Sequence, residues 1–280
     1  MNADPSPTTG ALPRSPAQRA EPIPPCPAPI DPDPWGHLRR FTAARIALGR
    51  AGGSQPTRAV LNFRLAHARA RDAVLAPFDL DAVLTPLANA GVAAKPLNTA
   101  AADRQSYLLR PDLGRRLDLA SAETVDAIAA REGPVDLALI VSDGLAAAAA
   151  ERHAAATLFA LFAGLADTGW KLSPVFVVRL GRVKLQDEIG QRLKARFSLM
   201  LLGERPGLGT PDSLGAYFTA GPAPERTDAD RNCVSNIRPE GIPPDQAGAK
   251  LAWLLKESAR SGRSGIHLKD TQRAESMIRD

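Results

Sequence analysis

The sequence predicts an α/β fold, in which a helical N-terminal domain precedes a C-terminal doubly wound, Rossmann-like and mostly parallel sheet. Three observations support this prediction. Apolar runs of strand length recur after residue 134, and stretches with helical spacing separate them. Apolar strands that alternate with helices are typical of a parallel sheet covered on both faces. A third observation is that the region before residue 118 shows only helical periodicity.

Length and composition narrow the possible classes of protein. A chain of 280 residues can form one large or two modest domains. Its acids and bases are interleaved at a net charge of +5, and aromatic residues make up 5%, which argues against a nucleic-acid groove. The sequence has no apolar run of membrane-spanning length and no secretion signal. Cys26 and Cys233 are far apart, so we expect no structural disulfide and a reducing cytoplasm.

The chain is predicted to have three segments. Residues 1–34 are rich in Pro, Ala, Ser and Asp and are predicted to form a disordered tail, because they cannot bury enough apolar surface to offset their ordering entropy. A microcompartment address in this tail is an alternative, although the tail has no amphipathic pattern. The helical domain is predicted over residues 35–118 and the α/β domain over residues 119–280.

The helical domain contains a long arginine-rich helix. Thr57 can cap this helix, and its apolar positions include Val60, Phe63 and Val74. Two interpretations of its arginines remain open. They form either a basic face exposed to solvent or a face that pairs with an acidic partner surface.

Three buried strands are predicted in the α/β domain, over residues 135–141, 174–180 and 197–202. Helices are expected between them, at residues 145–167 and 187–196, and a late helix at residues 244–260. Each strand runs into a short polar or glycine-rich loop. The loops begin at Ser142, Gly181 and Gly203, and the last contains the sequence GERPG.

These three loops are predicted to form a binding crevice. The carboxyl ends of parallel strands meet at one edge of the sheet, where ligands of open α/β sheets bind. The polar segment 230–236 is expected to fold over the same edge. Glycines such as Gly203 and Gly207 would let a large flat ligand approach the backbone closely.

No familiar catalytic motif accompanies this crevice. The loop at 207–210 lacks the lysine of a phosphate loop, and residues 142–145 lack the dinucleotide fingerprint. The four histidines are scattered without metal-ligand spacing, and His153 in an alanine-rich helix is expected to be a packing or surface residue. We therefore assign no catalytic residue and no metal site to this chain.

Six motifs together resemble the small (light) chain of ethanolamine ammonia-lyase. They occur in the same order, and the resemblance runs from about residue 41 to about residue 268. The motifs lie at residues 45–52 (RIALGRAG), 107–116 (YLLRPDLGRR), 141–145 (VSDGL), 181–184 (GRVK), 203–209 (GERPGLG) and 233–237 (CVSNI).

The resemblance implies a subunit of an adenosylcobalamin-dependent lyase of ethanolamine catabolism. That enzyme converts ethanolamine to acetaldehyde and ammonia by a radical mechanism. The family's large subunit is a TIM barrel that holds the substrate and its catalytic groups, so activity is expected only with that subunit. The small chain closes over the cobalamin, the paired chains form a higher oligomer, and a bacterial microcompartment is a further possible location.

The family's cobalamin contacts carry over by resemblance to Val183, Glu204 and Cys233. Their chemistry agrees: Glu204 can accept hydrogen bonds from corrin amides, Val183 offers an apolar contact, and Cys233 is small and polarizable. Taken alone, Cys233 would be a plain buried thiol and Glu204 a partner of Arg205. The family lacks an Asp-x-His-x-x-Gly signature, as does this chain, so no histidine is expected to replace the cofactor's own base on cobalt.

Two rival functions remain from the sequence. One is a free-standing nucleotide-binding α/β enzyme, which measured nucleotide affinity of the single chain would support. The other is an assembly subunit that contacts no ligand.

Overall fold

A computed structural model describes residues 30–272 of the chain. The predicted tail therefore lies outside the described residues except for residues 30–34, and Cys26 lies outside them as well. The described residues form two compact units that divide between Val60 and Leu61.

The described part of the chain contains seven α-helices and six strands. The helices are Thr57–Leu75 (α1), Asp81–Asn89 (α2), Arg104–Leu109 (α3), Leu119–Glu132 (α4), Ala147–Leu165 (α5), Leu185–Arg192 (α6) and Pro244–Ser261 (α7). The strands are Ala94–Asn98 (β1), Leu137–Ser142 (β2), Leu172–Arg179 (β3), Phe197–Gly203 (β4), Leu214–Ala220 (β5) and Arg231–Ile237 (β6).

Local sequence explains where several helices begin and end. Asp118 caps α4, because its side chain accepts a hydrogen bond from the backbone N–H of Ser121 at 2.8 Å. Pro244 at the first position of α7 needs no hydrogen-bond donor, and Gly262 ends the helix in the left-handed conformation. The alanine-rich sequence of α5 combines high helix propensity with a small cross-section.

The first unit, described by itself from residue 30, is built around a 3-10 helix, Pro34–Phe41. Asp33 caps this helix by accepting a hydrogen bond from the backbone N–H of Trp35. Asp31 and Arg50 form an isolated antiparallel bridge.

A six-stranded sheet forms the second unit, in the order β1-β3-β2-β4-β5-β6. The first four strands in this order are parallel to one another, and the β4–β5 and β5–β6 pairs are antiparallel. The predicted α/β class is thus confirmed, with a mixed sheet.

Helices cover both faces of the parallel strands. On one face, Leu137, Leu139 and Val141 of β2 join the cluster that contains the buried residues of α5 and α7. On the other face, Ala138 and Ile140 join the cluster that contains those of α4 and α6. Every residue of β2 and of β4 is buried as a result.

The structure departs from the sequence predictions at two places. The polar segment 230–236 does not fold over the strand ends as a loop but forms most of β6, the edge strand that pairs with β5. The region 35–118 was predicted to be helical, and it also contains β1, which pairs with β3 at the border of the sheet. No helix in the described part of the chain is long and apolar enough to cross a membrane.

Candidate ligand-binding site

The antiparallel strands β5 and β6 have one buried and one accessible face. Val234 and Ile237 of β6 point into the core formed with α5 and α7, while Cys233 and Ser235 are exposed on the opposite face. Tyr217 of β5 is the register partner of Cys233 and lies half-buried on that same face. We call the face formed by Tyr217, Cys233 and Ser235 the open face.

Glu204 is held at one end of this open face. It follows β4, and its backbone N–H donates to the carbonyl of Ser213 at 2.9 Å. Its Oε2 accepts hydrogen bonds from the Ser213 hydroxyl at 2.6 Å and from the Asn236 N–H at 3.4 Å. These bonds fix the carboxylate, whereas Oε1 has no hydrogen-bond partner within residues 30–272.

A glycine makes room for this carboxylate. A Cβ atom added to Gly215 of β5 would lie 2.8 Å from Oε1 of Glu204 and 3.0 Å from the ring of Tyr217. Any side chain at position 215 would therefore push Glu204 or Tyr217 away.

Val183 and Glu204 line one cleft of about 430 Å³ at the carboxyl ends of the parallel strands. Cys233 is outside the lining of this cleft and adjoins it through Tyr217, its register partner on β5. Two of the three predicted contact residues thus share a cleft and the third lies on the adjoining open face. The further lining residues are Tyr107, Gly144, Leu145, Arg182, Leu202, Gly203, Arg205 and Tyr217.

Tyr217 and Cys233 are both held in their neutral forms. Desolvation raises the pKa of Tyr217, and the neighbouring Cys233 and Glu204 raise it further. Desolvation also raises the pKa of the Cys233 thiol, although the neighbouring hydroxyls of Ser235 and Tyr217 oppose that rise. At neutral pH the open face therefore offers a phenol and a thiol beside one carboxylate.

Tyr107 forms a wall of the cleft that sequence reasoning did not single out. It is 1% exposed, and its hydroxyl donates to the carbonyl of Gly181 at 3.1 Å. The guanidinium carbon of Arg182 lies 4.0 Å from the ring centroid, and Arg182 also donates to the Tyr107 carbonyl at 2.9 Å. Burial raises the pKa of Tyr107 to about 12, so the wall stays uncharged.

Asp143 fastens two strand ends to each other. This buried carboxylate, at the end of β2, accepts hydrogen bonds from the Leu180 N–H at 2.7 Å and from Ser142 at 3.0 Å. Arg104 pairs with it at 3.0 Å. Burial raises the pKa of Asp143, and the Arg104 charge opposes that rise. Since its oxygens are engaged within the chain, Asp143 is better suited to hold the crevice than to bind a ligand.

The loops after β2 and β4 cross with almost no space between them. A Cβ atom on Gly203 would lie 2.2 Å from the Ala146 carbonyl oxygen, and one on Gly144 would lie 2.2 Å from the Gly203 carbonyl oxygen. Gly144 also has a φ of +50°, which disfavours other residues. Glycine is therefore required at both positions on packing grounds.

A buried ion pair holds β6 against α6, beside the open face. Arg231 donates to both carboxylate oxygens of Asp187, at 2.9 and 2.6 Å, and to the hydroxyl of Thr219. The side chains of Arg231 and Asp187 are 4% and 2% exposed, respectively. Lys184 donates to the backbone carbonyls of Pro224 and Arg226 in the β5–β6 connection. The loop that carries Val183 is thereby tied to the strands that carry Cys233.

His153 lies outside this arrangement. It is buried in α5, in agreement with the predicted packing role. Desolvation lowers its pKa, which favours the neutral imidazole.

The fold and the cleft define a class of protein: an α/β subunit with a ligand-binding crevice and, among the residues described, no recognisable set of catalytic groups. Comparison with known proteins gives the family. The profile of the ethanolamine ammonia-lyase light chain (EutC) family matches residues 32–269. This chain belongs to that family, which confirms the resemblance seen in the six motifs.

Several relatives are similar over nearly their whole length, and each is named ethanolamine ammonia-lyase small subunit. The protein of Ralstonia nicotianae is 51% identical over 245 residues, which cover 87% of this chain and 91% of the relative. That of Pseudomonas fluorescens strain SBW25 is 48% identical over 258 residues, covering 92% and 93%. That of Azotobacter vinelandii is 50% identical over 244 residues, covering 87% and 90%.

Proposed function

We propose that this chain is the small subunit of an adenosylcobalamin-dependent ethanolamine ammonia-lyase, which converts ethanolamine to acetaldehyde and ammonia. The observation that carries the proposal is the convergence of Val183 and Glu204 on one cleft beside the open face with Cys233, in a member of this family. The sheet that carries the cleft is proposed to be of the doubly wound, Rossmann-like type, extended by β5 and β6.

The residues at the cleft fit a corrinoid. A corrin is a broad disc with amide side chains at its rim. The open face is accessible, and Gly215 brings no side chain to it. Oε1 of Glu204, which has no hydrogen-bond partner among the described residues, can accept from an amide N–H, and the neutral Tyr217 and Cys233 present no competing charge.

The size of the cleft supports a partner chain. A cleft of about 430 Å³ accommodates only part of a ligand as large as cobalamin, so a second surface must cover the remainder. We propose that this surface belongs to a large TIM-barrel subunit that binds ethanolamine, and that the pairs form a higher oligomer. We place the enzyme in the cytoplasm, free or within a microcompartment.

Helix α1 is the proposed contact with that subunit. Of its described side chains, only Ala66 is buried, while Leu61, Phe63 and Leu65 are 57%, 45% and 51% exposed. Large apolar side chains exposed along one helix often mark an interface. The arginines of α1, Arg58, Arg64, Arg69 and Arg71, suit an acidic partner surface.

In this mechanism the residues of this chain bind and position. Bound at the cleft, adenosylcobalamin supplies the radical chemistry. Glu204 would hold the rim of the corrin by accepting amide hydrogen bonds, and Val183 would give an apolar contact. Tyr107 and the crossed glycine loops would exclude water from their side of the cleft. No side chain of this subunit is assigned a proton-transfer step.

Reconstitution tests the proposal. Purified complex of this chain and its large subunit should release ammonia from ethanolamine when adenosylcobalamin is added, and the single chain should not. Turnover by the single chain, or none by the complex, would contradict the proposal. Tight binding of a nucleotide by the single chain would favour a free-standing nucleotide-binding enzyme instead.

Glu204→Ala tests the site itself. Loss of a charged acceptor should cost about 1.5–3 kcal/mol of cofactor binding, or about 10- to 100-fold in affinity, with little change in turnover at saturation. Titration of adenosylcobalamin into the assembled mutant, following ammonia release, measures both quantities. Glu123→Ala is the control, because Glu123 is an exposed carboxylate on α4. A normal half-saturation with a collapsed maximal rate would show that Glu204 serves chemistry or assembly.

A further inference from the structure

A second cleft, of about 460 Å³, adjoins the proposed cofactor cleft. The two clefts share Arg182 and Val183, so a ligand that contacts Val183 can extend into both. The second cleft is walled by the segment before α4, by the start of α6 and by the β5–β6 connection. We call it the basic cleft.

The lining of the basic cleft is strongly positive. Five basic side chains line it, against a single acidic one, Asp228. The basic residues are Arg115, Arg182, Lys184, Arg226 and Arg231. Two other carboxylates, Asp187 and Asp230, pair with lining residues without lining the cleft themselves. The positive charges outnumber the negative ones even when these two are included.

Ion pairs engage three of the five basic side chains. Arg231 is held by Asp187 and Thr219, and Lys184 by two backbone carbonyls and Asp187. Arg226 donates to the carbonyl of Gly221 and lies 3.6 Å from a carboxylate oxygen of Asp230.

Arg115 and Arg182 differ, because neither has an ion-pair partner in the described part of the chain. Arg182 donates to the Tyr107 carbonyl, but its Nε is buried without a hydrogen-bond acceptor. Arg115 is exposed, and no side-chain bond engages it within the described residues. Two guanidinium groups without carboxylate partners, at one cleft, favour an anionic ligand group.

We propose that the basic cleft binds the phosphodiester of the cofactor's nucleotide tail. This assignment rests on the proposed function, since it requires cobalamin at the neighbouring cleft. The amides at the corrin rim are uncharged, and the phosphodiester is the part of the molecule outside the metal centre that carries a negative charge. The positive cleft on the far side of Val183 therefore selects that group, and Arg115 supplies the free donors that bind it.

The assembled complex with its large subunit is the material for the test. Binding of two corrinoids is measured by equilibrium titration: adenosylcobalamin, and adenosylcobinamide, which has the same ring but lacks the nucleotide tail. Arg115→Gln should weaken adenosylcobalamin binding about tenfold and leave adenosylcobinamide binding unchanged. Arg115→Lys, which keeps the charge, should restore much of the affinity.

Arg116→Gln is the matched control. Arg116 is the adjacent exposed arginine and lines a different surface depression. The assignment is overturned if Arg115→Gln weakens both corrinoids equally, affects neither, or acts no more strongly than Arg116→Gln. A further outcome would also contradict the assignment: inorganic phosphate raises the melting temperature of the wild-type complex but not that of Arg115→Gln, while the two complexes have the same affinity for each corrinoid. The cleft would then bind free phosphate and not the cofactor.

The same titration separates this inference from the proposed function. If the wild-type complex binds neither corrinoid, the cobalamin site itself is wrong. If the wild-type complex binds both corrinoids and Arg115→Gln has no larger effect than Arg116→Gln, only the role of the basic cleft is wrong.

Discussion

The parallel and antiparallel parts of the sheet differ in how their strands are buried. In β2 and β4 every residue is buried, because helices pack on both faces. In β6 burial alternates in part, and Cys233 and Ser235 are exposed while Val234 is buried. The parallel strands supply a rigid frame whose ends carry loops. The antiparallel pair leaves a face accessible to a ligand, within the same sheet.

This comparison suggests a division of roles. Stability should depend most on the residues enclosed within the frame and on the buried residues beside the open face. Ligand binding should depend on residues that the frame positions but does not cover. The following predictions test that division, in order of decreasing expected effect.

Asp187→Ala should have the largest effect on stability. It leaves Arg231 buried without its carboxylate, and breaking a buried pair from one side costs about 3–5 kcal/mol. Denaturant unfolding of the chain measures the change. Asp167→Ala, which removes a surface ion pair with Lys256, should cost less than about 1 kcal/mol. Equal losses in the two variants would show that the buried pair beside the open face has no special role.

Leu201→Ala and Ser235→Ala compare the two parts of the sheet directly. Leu201 is 0% exposed in β4, and a buried Leu→Ala change costs about 2–5 kcal/mol of unfolding free energy. Ser235 is exposed on β6, so its replacement should change stability by less than about 0.5 kcal/mol. Similar losses at both positions would mean that the open face is packed as tightly as the frame.

The two tyrosines of the chain allow a spectroscopic test. In a Tyr217→Phe variant, the absorbance of the remaining Tyr107 should titrate with a midpoint near pH 12 when folded. Unfolded, it should titrate near pH 10. A midpoint near pH 10 in the folded protein would show that Tyr107 is solvated.

The same shift predicts a loss of stability in alkaline solution. The folded-state pKa of Tyr107 is raised, so the folded chain retains a proton that the unfolded chain loses above about pH 10. The contribution of Tyr107 to the free energy of unfolding is therefore complete below about pH 10 and is lost progressively as the pH rises toward 12. Denaturant midpoints measured at several pH values in this range would test the sign.

Sequence reasoning located the enclosed strands well. The predicted strands 135–141, 174–180 and 197–202 correspond to β2, β3 and β4 within about two residues at each end. Their success has a physical cause, because a strand covered on both faces must be apolar at nearly every position.

The same reasoning missed β1 and β5 and took the β6 region for a loop. Strand β1 has the sequence AKPLN, whose lysine and proline suit only a sheet border. Strand β6 has the sequence RNCVSNI, with Val234 and Ile237 as its only aliphatic residues, because one of its faces is open. So few apolar residues are a weak signal for a strand without knowledge of the neighbouring strand.

The candidate site was predictable in part. Glu204 and Val183 were identified from the resemblance, and the convergence of loops at strand ends follows from parallel topology. The contacts that shape the site were not predictable. Arg182 and Tyr107 are 75 positions apart, and Arg231 and Asp187 are 44 apart. Which charged side chains become buried partners depends on tertiary packing, which no local pattern contains.

The crossing of Gly144 and Gly203 has a consequence for the evolution of this subunit. At each glycine the nearest atom to an added Cβ is a backbone oxygen of the other loop, at 2.2 Å, although side-chain atoms of Leu202 also lie close to Gly144. Shrinking a neighbouring residue therefore cannot create room, and no second substitution can compensate for the first. Both positions should therefore remain glycine even where other residues of the cleft have changed. A new ligand specificity would have to arise from substitutions elsewhere in the cleft.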